Sequence, residues 1–126
     1  MSASLQLAVH EPVLPPDVRG RLRALLVGEA ATVTARRTEH EALAEQLRGL
    51  LDADSVIERE LAETGAVRAA ETLADIRHAL HRLEIGAYGS CEACGLPMPL
   101  ARLEAIPSAR LCVACTGRRA RCARSF

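Results

Sequence analysis

The sequence predicts an all-α protein: a long antiparallel helical hairpin capped by a small four-cysteine zinc finger and a short C-terminal helix. Three observations carry this. Alanine, leucine, arginine and glutamate make up 69 of the 126 residues, a bias that belongs to long helices and coiled coils. Apolar residues recur at three- and four-residue steps in two stretches separated by a short polar break. Four cysteines stand as Cys91-x-x-Cys94 and Cys112-x-x-Cys115, with 17 residues between the pairs.

The first stretch follows Pro15-Pro16. The helical pattern begins near Asp17 and runs to about Leu50, with Leu22, Leu26, Val33, Leu43, Leu47 and Leu50 on one stripe. Glu29, Arg36 and His40 interrupt that stripe, and His40 reads as a half-buried seam residue. Leu51 to Ser55 reads as the turn. Ser55 and Glu58 have capping-box spacing and predict the start of a second helix, which extends to about Glu84. Its seam is Ala66, Ala69, Leu73, Ile76, Leu80 and Leu83, at heptad spacings. Gly65 lies inside this helix, at a cost of about 1 kcal/mol relative to alanine. Each helix would be about 45 Å long, and a turn of a few residues forces the two antiparallel. The organisation expected is therefore an arm at 1–16, a hairpin at 17–84 with its tip at 51–55, a finger at 85–117 and a basic tail or short helix at 118–126.

Charge is unevenly spread beneath a formal total of zero. Residues 51–84 hold eight acids against four arginines, whereas residues 110–126 hold five arginines and no acid. This gives an acidic hairpin tip, with Asp52 and Asp54 as candidate contact residues, and a basic tail in which Arg118, Arg119 and Arg121 are candidate basic contacts. Helix-start acids favoured by the macrodipole are the plainer account of the two aspartates. Charge compensation of a zinc centre is the plainer account of the arginines.

Each C-x-x-C knuckle aims two sulfurs at one centre, and two knuckles complete a tetrahedron around one zinc ion. Cys91, Cys94, Cys112 and Cys115 are the predicted ligands. With four protein ligands no position is open to substrate, so the zinc is expected to be structural and the protein is not expected to be an enzyme. Gly89 and Gly95 flank the first knuckle, and Pro97, Pro99 and Pro107 keep the intervening segment from forming a long helix. Cys122 is left over and reads as an ordinary thiol. His78 and His81 read as surface or seam residues.

Several classes are disfavoured. Tyr88 and Phe126 are the two aromatic residues, too few for a base-stacking surface. No run approaches the ~20 apolar residues of a membrane span, and no signal-peptide pattern opens the chain. A cytoplasmic setting is expected, in which cysteines serve as ligands rather than disulfides. No phosphate-binding glycine loop, nucleophile elbow or H-E-x-x-H motif is present.

The run from Ala79 to Gly95, with Arg82, Gly86, Tyr88 and Gly89 around Cys91 and Cys94, resembles the DksA/TraR family of bacterial C4 zinc-finger transcription regulators. So does the run Pro97 to Pro107, containing Arg102-Leu103-Glu104-Ala105, followed by Leu111 to Cys115. The resemblance covers residues 79–115 and fixes non-ligand positions as well as cysteines. It implies a protein that binds RNA polymerase, places a hairpin with an acidic tip in the secondary channel and does not read DNA sequence. Two departures matter. The family tip carries D-x-x-D-x-A, whereas this chain has Asp52-Ala53-Asp54-Ser55-Val56-Ile57. The positions that contact ppGpp in responsive members fall at Asp75, Ile106 and Thr116, none of them basic, so no ppGpp response through that site is expected. A monomer is expected.

Two other readings remain. A GATA-like DNA-binding finger shares the cysteine spacing, and the arginine tail favours it, but the acidic hairpin and zero net charge oppose it. A redox-sensitive, zinc-stapled structural protein is the other.

Overall fold

The computed structural model describes residues 14–124, with side chains through Arg118. The expected arm at 1–16 thus falls mostly outside the described residues, as do the side chains of Arg119, Arg121 and Cys122. Four helices follow in order: α1 Pro16–Gln46, α2 Ala53–Ile85, α3 Leu100–Ala105 and α4 Val113–Arg124. α1 and α2 form a long helical hairpin, and the described residues contain no strand, only an antiparallel bridge between Ser90 and Pro97. No helix among them is long and apolar enough to cross a membrane.

Contacts divide the chain into two compact units, one formed by Val27–Arg77 and the other by the segments either side of it. The Val27–Arg77 unit is the distal part of the hairpin. Val33, Ala62, Ala69, Leu73 and Ile76 are buried there, with Ala66, Leu43 and Leu47 half-buried. Of the α2 stripe read from the sequence, Ala69, Leu73 and Ile76 are buried and Ala66, Leu80 and Leu83 half-buried, while Ala62 and Ala79, outside the stripe, are buried as well. Because alanines fill much of the seam, the helices approach closely but bury little apolar area per residue. His40 is half-buried, as expected. Gly65 is explained by it: a Cβ on Gly65 would lie 2.7 Å from His40 Cε1 and Nε2. The glycine lets the imidazole rest against the α2 backbone.

The turn differs from the sequence expectation in three respects. α1 ends at Gln46 rather than Leu50, and Leu47–Gly49 form a turn in which Gly49 takes φ +86°, a left-handed conformation that stops the helix. Leu50 therefore leaves the stripe and is 45% exposed. α2 begins at Ala53, so Ser55 is not its cap. Instead Asp52 Oδ2 accepts the Ser55 amide at 3.0 Å, while the Asp52 carbonyl accepts the Val56 amide at 3.0 Å. Asp52 is the N-cap and Ser55 the third helical residue, reversing the predicted polarity of the cap. The Ser55 side-chain and backbone hydrogen bonds hold the Asp52 carboxyl below its ordinary value. The connection between the helices is thus residues 47–52, shifted from the expected 51–55.

The second unit packs the start of α1 and the end of α2 with α3 and α4. Leu22, Leu26, Ala79, Tyr88, Met98 and Leu103 are buried in it. Leu14 lies against Gly89, 3.6 Å from where a Cβ would stand. Tyr88 donates its hydroxyl to the Pro107 carbonyl at 2.7 Å, and burial pushes its pKa up to about 12. An exposed Arg21–Glu104 pair at 3.1 Å joins α1 to α3.

Two outcomes are expected. Gly65→Ala should destabilise the hairpin, because overpacking against His40 costs about 1–3 kcal/mol and outweighs the gain of about 1 kcal/mol in helix propensity. A denaturation double-mutant cycle with His40→Ala should recover most of the loss. Asp52→Ala should speed hydrogen exchange at the Ser55 amide. Because the folded pKa of Asp52 is lowered, its cap is fully present above the unfolded value of 3.8 and is lost as pH falls through the folded value. The same exchange measurement taken down the pH scale should follow that order.

Candidate metal centre

The finger begins where α2 ends. The chain turns at Ala87–Ser90 and enters the first knuckle, closed by the amide of Cys91 donating to the Leu96 carbonyl at 2.9 Å and that of Met98 to the Gly89 carbonyl at 2.8 Å. Inside the knuckle the Gly95 amide donates to the Cys91 carbonyl at 2.9 Å. Gly95 takes φ +78°, which a side chain would strain. The second knuckle is made differently. Cys112 immediately precedes α4 and Cys115 lies in its first turn, so these sulfurs sit at a helix N-terminus. Free backbone amides and the positive end of the helix dipole favour thiolates there.

The knuckles converge. The sulfurs of Cys91, Cys94, Cys112 and Cys115 all lie within 4.8 Å of one another, and those of Cys94 and Cys112 are 3.9 Å apart. Four sulfurs held ~2.3 Å from a tetrahedral zinc stand about 3.8 Å from each other. The donor set and its spacing fit one zinc ion with no place for a fifth ligand. Cys91 and Cys115 are buried, Cys112 is half-buried and Cys94 is exposed, and none of the four is in a disulfide.

Electrostatics separate the four thiols. The Cys112 amide, working against burial and helped by the amides of Cys94 and Ala93, lowers Cys91 to about 6. The Cys115 amide lowers Cys112. Burial and the neighbouring sulfurs push Cys115 up to about 12. The four cannot all ionise by themselves, and a divalent cation is what allows it. Arg118 reaches back from α4 and donates to the Cys115 sulfur at 2.9 Å. Of the three candidate basic contacts this one is engaged by the finger itself.

A bracket that the sequence reading did not single out ties the first knuckle to α2. Arg82 donates to the Ala87 carbonyl at 2.7 Å, the Ser90 carbonyl at 3.2 Å and Glu92 at 3.1 Å. His78 Nε2 lies 2.5 Å from the same Glu92 oxygen, so His78 belongs to the bracket, while His81 is exposed. Burial works to raise the Glu92 carboxyl, but the His78 hydrogen bond and the charges of His78, Arg82 and Arg110 outweigh it and hold the carboxyl low. The Glu92 amide also donates to the Arg110 carbonyl at 2.8 Å, joining the two halves of the finger. Arg102 does the same from α3, donating to the Leu111 carbonyl at 3.0 Å and the Thr116 hydroxyl at 3.4 Å. The i, i+4 spacing of His78 and Arg82 was the available signal, but a partner seven residues past the end of the helix cannot be read from periodicity.

Two knuckles, a four-residue loop turn and a helical hairpin leading into them define a C4 zinc-finger protein of the helical-hairpin class. Residues 86–121 match the prokaryotic dksA/traR C4-type zinc finger. The fold resembles that of transcription factor DksA2 from Pseudomonas aeruginosa, with a TM-score of 0.76 and 26% identity over 95% of this chain and 93% of that one. Among curated relatives, an RNA polymerase-binding transcription factor DksA from Caulobacter vibrioides is 48% identical over 46 residues, covering 36% of this chain and 32% of the relative. An uncharacterised protein of Aquifex aeolicus is 50% identical over 44 residues, covering 35% and 30%. General stress protein 16O of Bacillus subtilis is 44% identical over 43 residues, covering 34% and 26%. The chain spans about a third or less of the length of these curated relatives. Finger and fold together are similar to those of the DksA/TraR family, and the cofactor that the four cysteines fit is a single structural Zn²⁺.

Cys91→Ser or Cys112→Ser should abolish stoichiometric zinc and loosen the finger, measured by metal content and near-terminal amide exchange. Arg118→Ala should keep the fold but weaken zinc by roughly tenfold, the usual effect of losing a group that supports a ligand. Competition with a chelator checks this. In either protein zinc affinity should rise with pH through neutrality, since binding displaces the Cys115 proton.

Proposed function

We propose that this protein is a transcription regulator that binds bacterial RNA polymerase and places the hairpin turn in its secondary channel. The observation that carries the reading is the fold match to DksA2 over 95% of the chain, which joins hairpin and finger in one likeness. The Caulobacter relative, whose name records polymerase binding, supports it through the finger. In this reading zinc is structural and Cys91, Cys94, Cys112 and Cys115 are its ligands. The protein acts by contact as a monomer, with no chemistry of its own and without reading DNA sequence.

The turn divides its two aspartates. Asp52 spends one oxygen on the Ser55 amide and sets where α2 begins. Asp54, exposed in the first turn of α2, has no such duty and is the better contact residue. Leu51, 86% exposed beside them, adds an apolar element to an otherwise acidic tip. Arg119 and Arg121 would supply basic contacts, with Arg118 committed to Cys115. At the positions matching the ppGpp contacts of responsive relatives, Asp75 and Ile106 are exposed and Thr116 receives Arg102. None of these three residues is itself basic, so regulation without ppGpp is expected.

Zinc-loaded protein mixed with core RNA polymerase should be retained in the presence of excess competitor DNA. Retention on DNA but not on polymerase would instead favour a DNA-binding finger. Asp54→Asn should leave helix content and polymerase retention unchanged while weakening the effect on open-complex lifetime at a responsive promoter. An unaltered lifetime would remove Asp54 from the tip assignment.

A further inference from the structure

Within the Val27–Arg77 unit, three arginines are neutralised by neighbours: Arg37 by Glu41 at 3.1 Å, Arg48 by Glu45 at 2.8 Å and Arg59 by Glu63 at 3.9 Å. Arg36, Arg68 and Arg77 have no such partner. Acid is not scarce, since Glu39, Glu60 and Glu71 of the same unit are also without an ion pair. Two of the three unpaired arginines share one place. Arg36 and His40, a turn apart on α1, line an opening of about 290 Å³ with Gly65, Arg68, Ala69 and Thr72 of α2.

The lining of the opening carries positive charge from two helices. Its cationic groups come from both helices, so they repel one another across the seam unless something negative lies between them. Gly65 lets the His40 ring lie against the α2 backbone, which keeps the imidazole at the edge of the opening. Buried Ala69 forms an apolar floor, and the volume far exceeds that of one water. Two guanidinium forks, an imidazole N–H and the Thr72 hydroxyl supply donors from two sides. One guanidinium fork satisfies a carboxylate in its plane, whereas a tetrahedral phosphate offers oxygens in several directions at once.

We propose that this opening binds a phosphate group, taken from inorganic phosphate or from a small polyphosphate. Arg36 and Arg68 hold it from opposite helices, and His40 and Thr72 complete its hydrogen bonds. The ligand would cross-link α1 and α2 where alanines make the seam thin. The inference concerns the isolated chain and does not depend on polymerase binding.

The test is a titration of the zinc-loaded full chain with inorganic phosphate, pyrophosphate and a nucleoside triphosphate, against acetate and chloride at matched ionic strength. Amide NMR shifts and melting temperature are followed. Saturable shifts at Arg36, His40, Gly65, Arg68 and Thr72, with a raised melting temperature, are expected for at least one phosphate species. The tightest of the three identifies the source. Arg36→Gln with Arg68→Gln should weaken that binding by about tenfold or more. It should leave the chain no less stable in phosphate-free chloride, whereas Arg77→Gln should change neither. Shifts that do not saturate, that acetate reproduces, or that survive the double substitution would overturn the proposal.

Discussion

Four sulfurs brought within 4.8 Å of one another are the constraint on which the finger depends. Without a cation the four thiols do not ionise together, and burial makes Cys115 the most resistant member. Zinc turns that repulsion into a tetrahedral staple joining two segments far apart in sequence. The protein prepares the site with backbone amides at the first knuckle and a helix N-terminus at the second. Arg118 then answers part of the negative charge that four thiolates leave on the centre. The metal is therefore structural in the strict sense: the sulfurs have their positions because a cation is meant to be shared among them.

The finger in turn relies on a polar bracket rather than on a large core. Few aromatic residues are available, and Tyr88 is the one buried among the described residues. Arg82 compensates by binding two carbonyls of the loop and the Glu92 carboxylate at once, with a side chain only 14% exposed. A partly buried cation held by three acceptors contributes more than a surface pair of the same charges, because its partners are already fixed when it arrives. Removing either side would leave the other poorly solvated, which makes the bracket a directional joint between helix end and knuckle.

The distal hairpin is governed by a different economy. Its seam is narrow, built largely of alanine, and its single imidazole fits only because residue 65 lacks a side chain. Such a seam gains modest hydrophobic stabilisation, so caps and turn residues matter more than they would in a broad bundle. Asp52 illustrates this. It was singled out as a contact residue, yet its first physical role is to start α2. The same carboxylate can serve a partner with its other oxygen, but Asp54 is the less committed of the two.

Much of this was legible in the sequence because it rests on local rules. Helical periodicity revealed the α2 seam from Ala66 to Leu83, and cysteine spacing revealed the metal site, since a C-x-x-C knuckle is a local geometry and zinc chemistry restricts the donors. The G-x-Y-G, C-x-x-C-G and R-L-E-A-x-P runs carried the family likeness for the same reason. What was missed depends on where separate segments meet. Capping was assigned to Ser55, and the path of the turn gave it to Asp52 instead, because both residue types cap helices and the difference is a matter of backbone direction. Periodicity extended α1 to Leu50, but the left-handed Gly49 ends it earlier. Arg82, Glu92 and the fit of His40 on Gly65 are pairings across a loop or across the hairpin, and no spacing rule encodes a partner that only folding brings near. The sequence by itself determined the elements and the metal chemistry; the tertiary structure alone decided which polar groups are spent on holding the fold and which remain free to meet a partner.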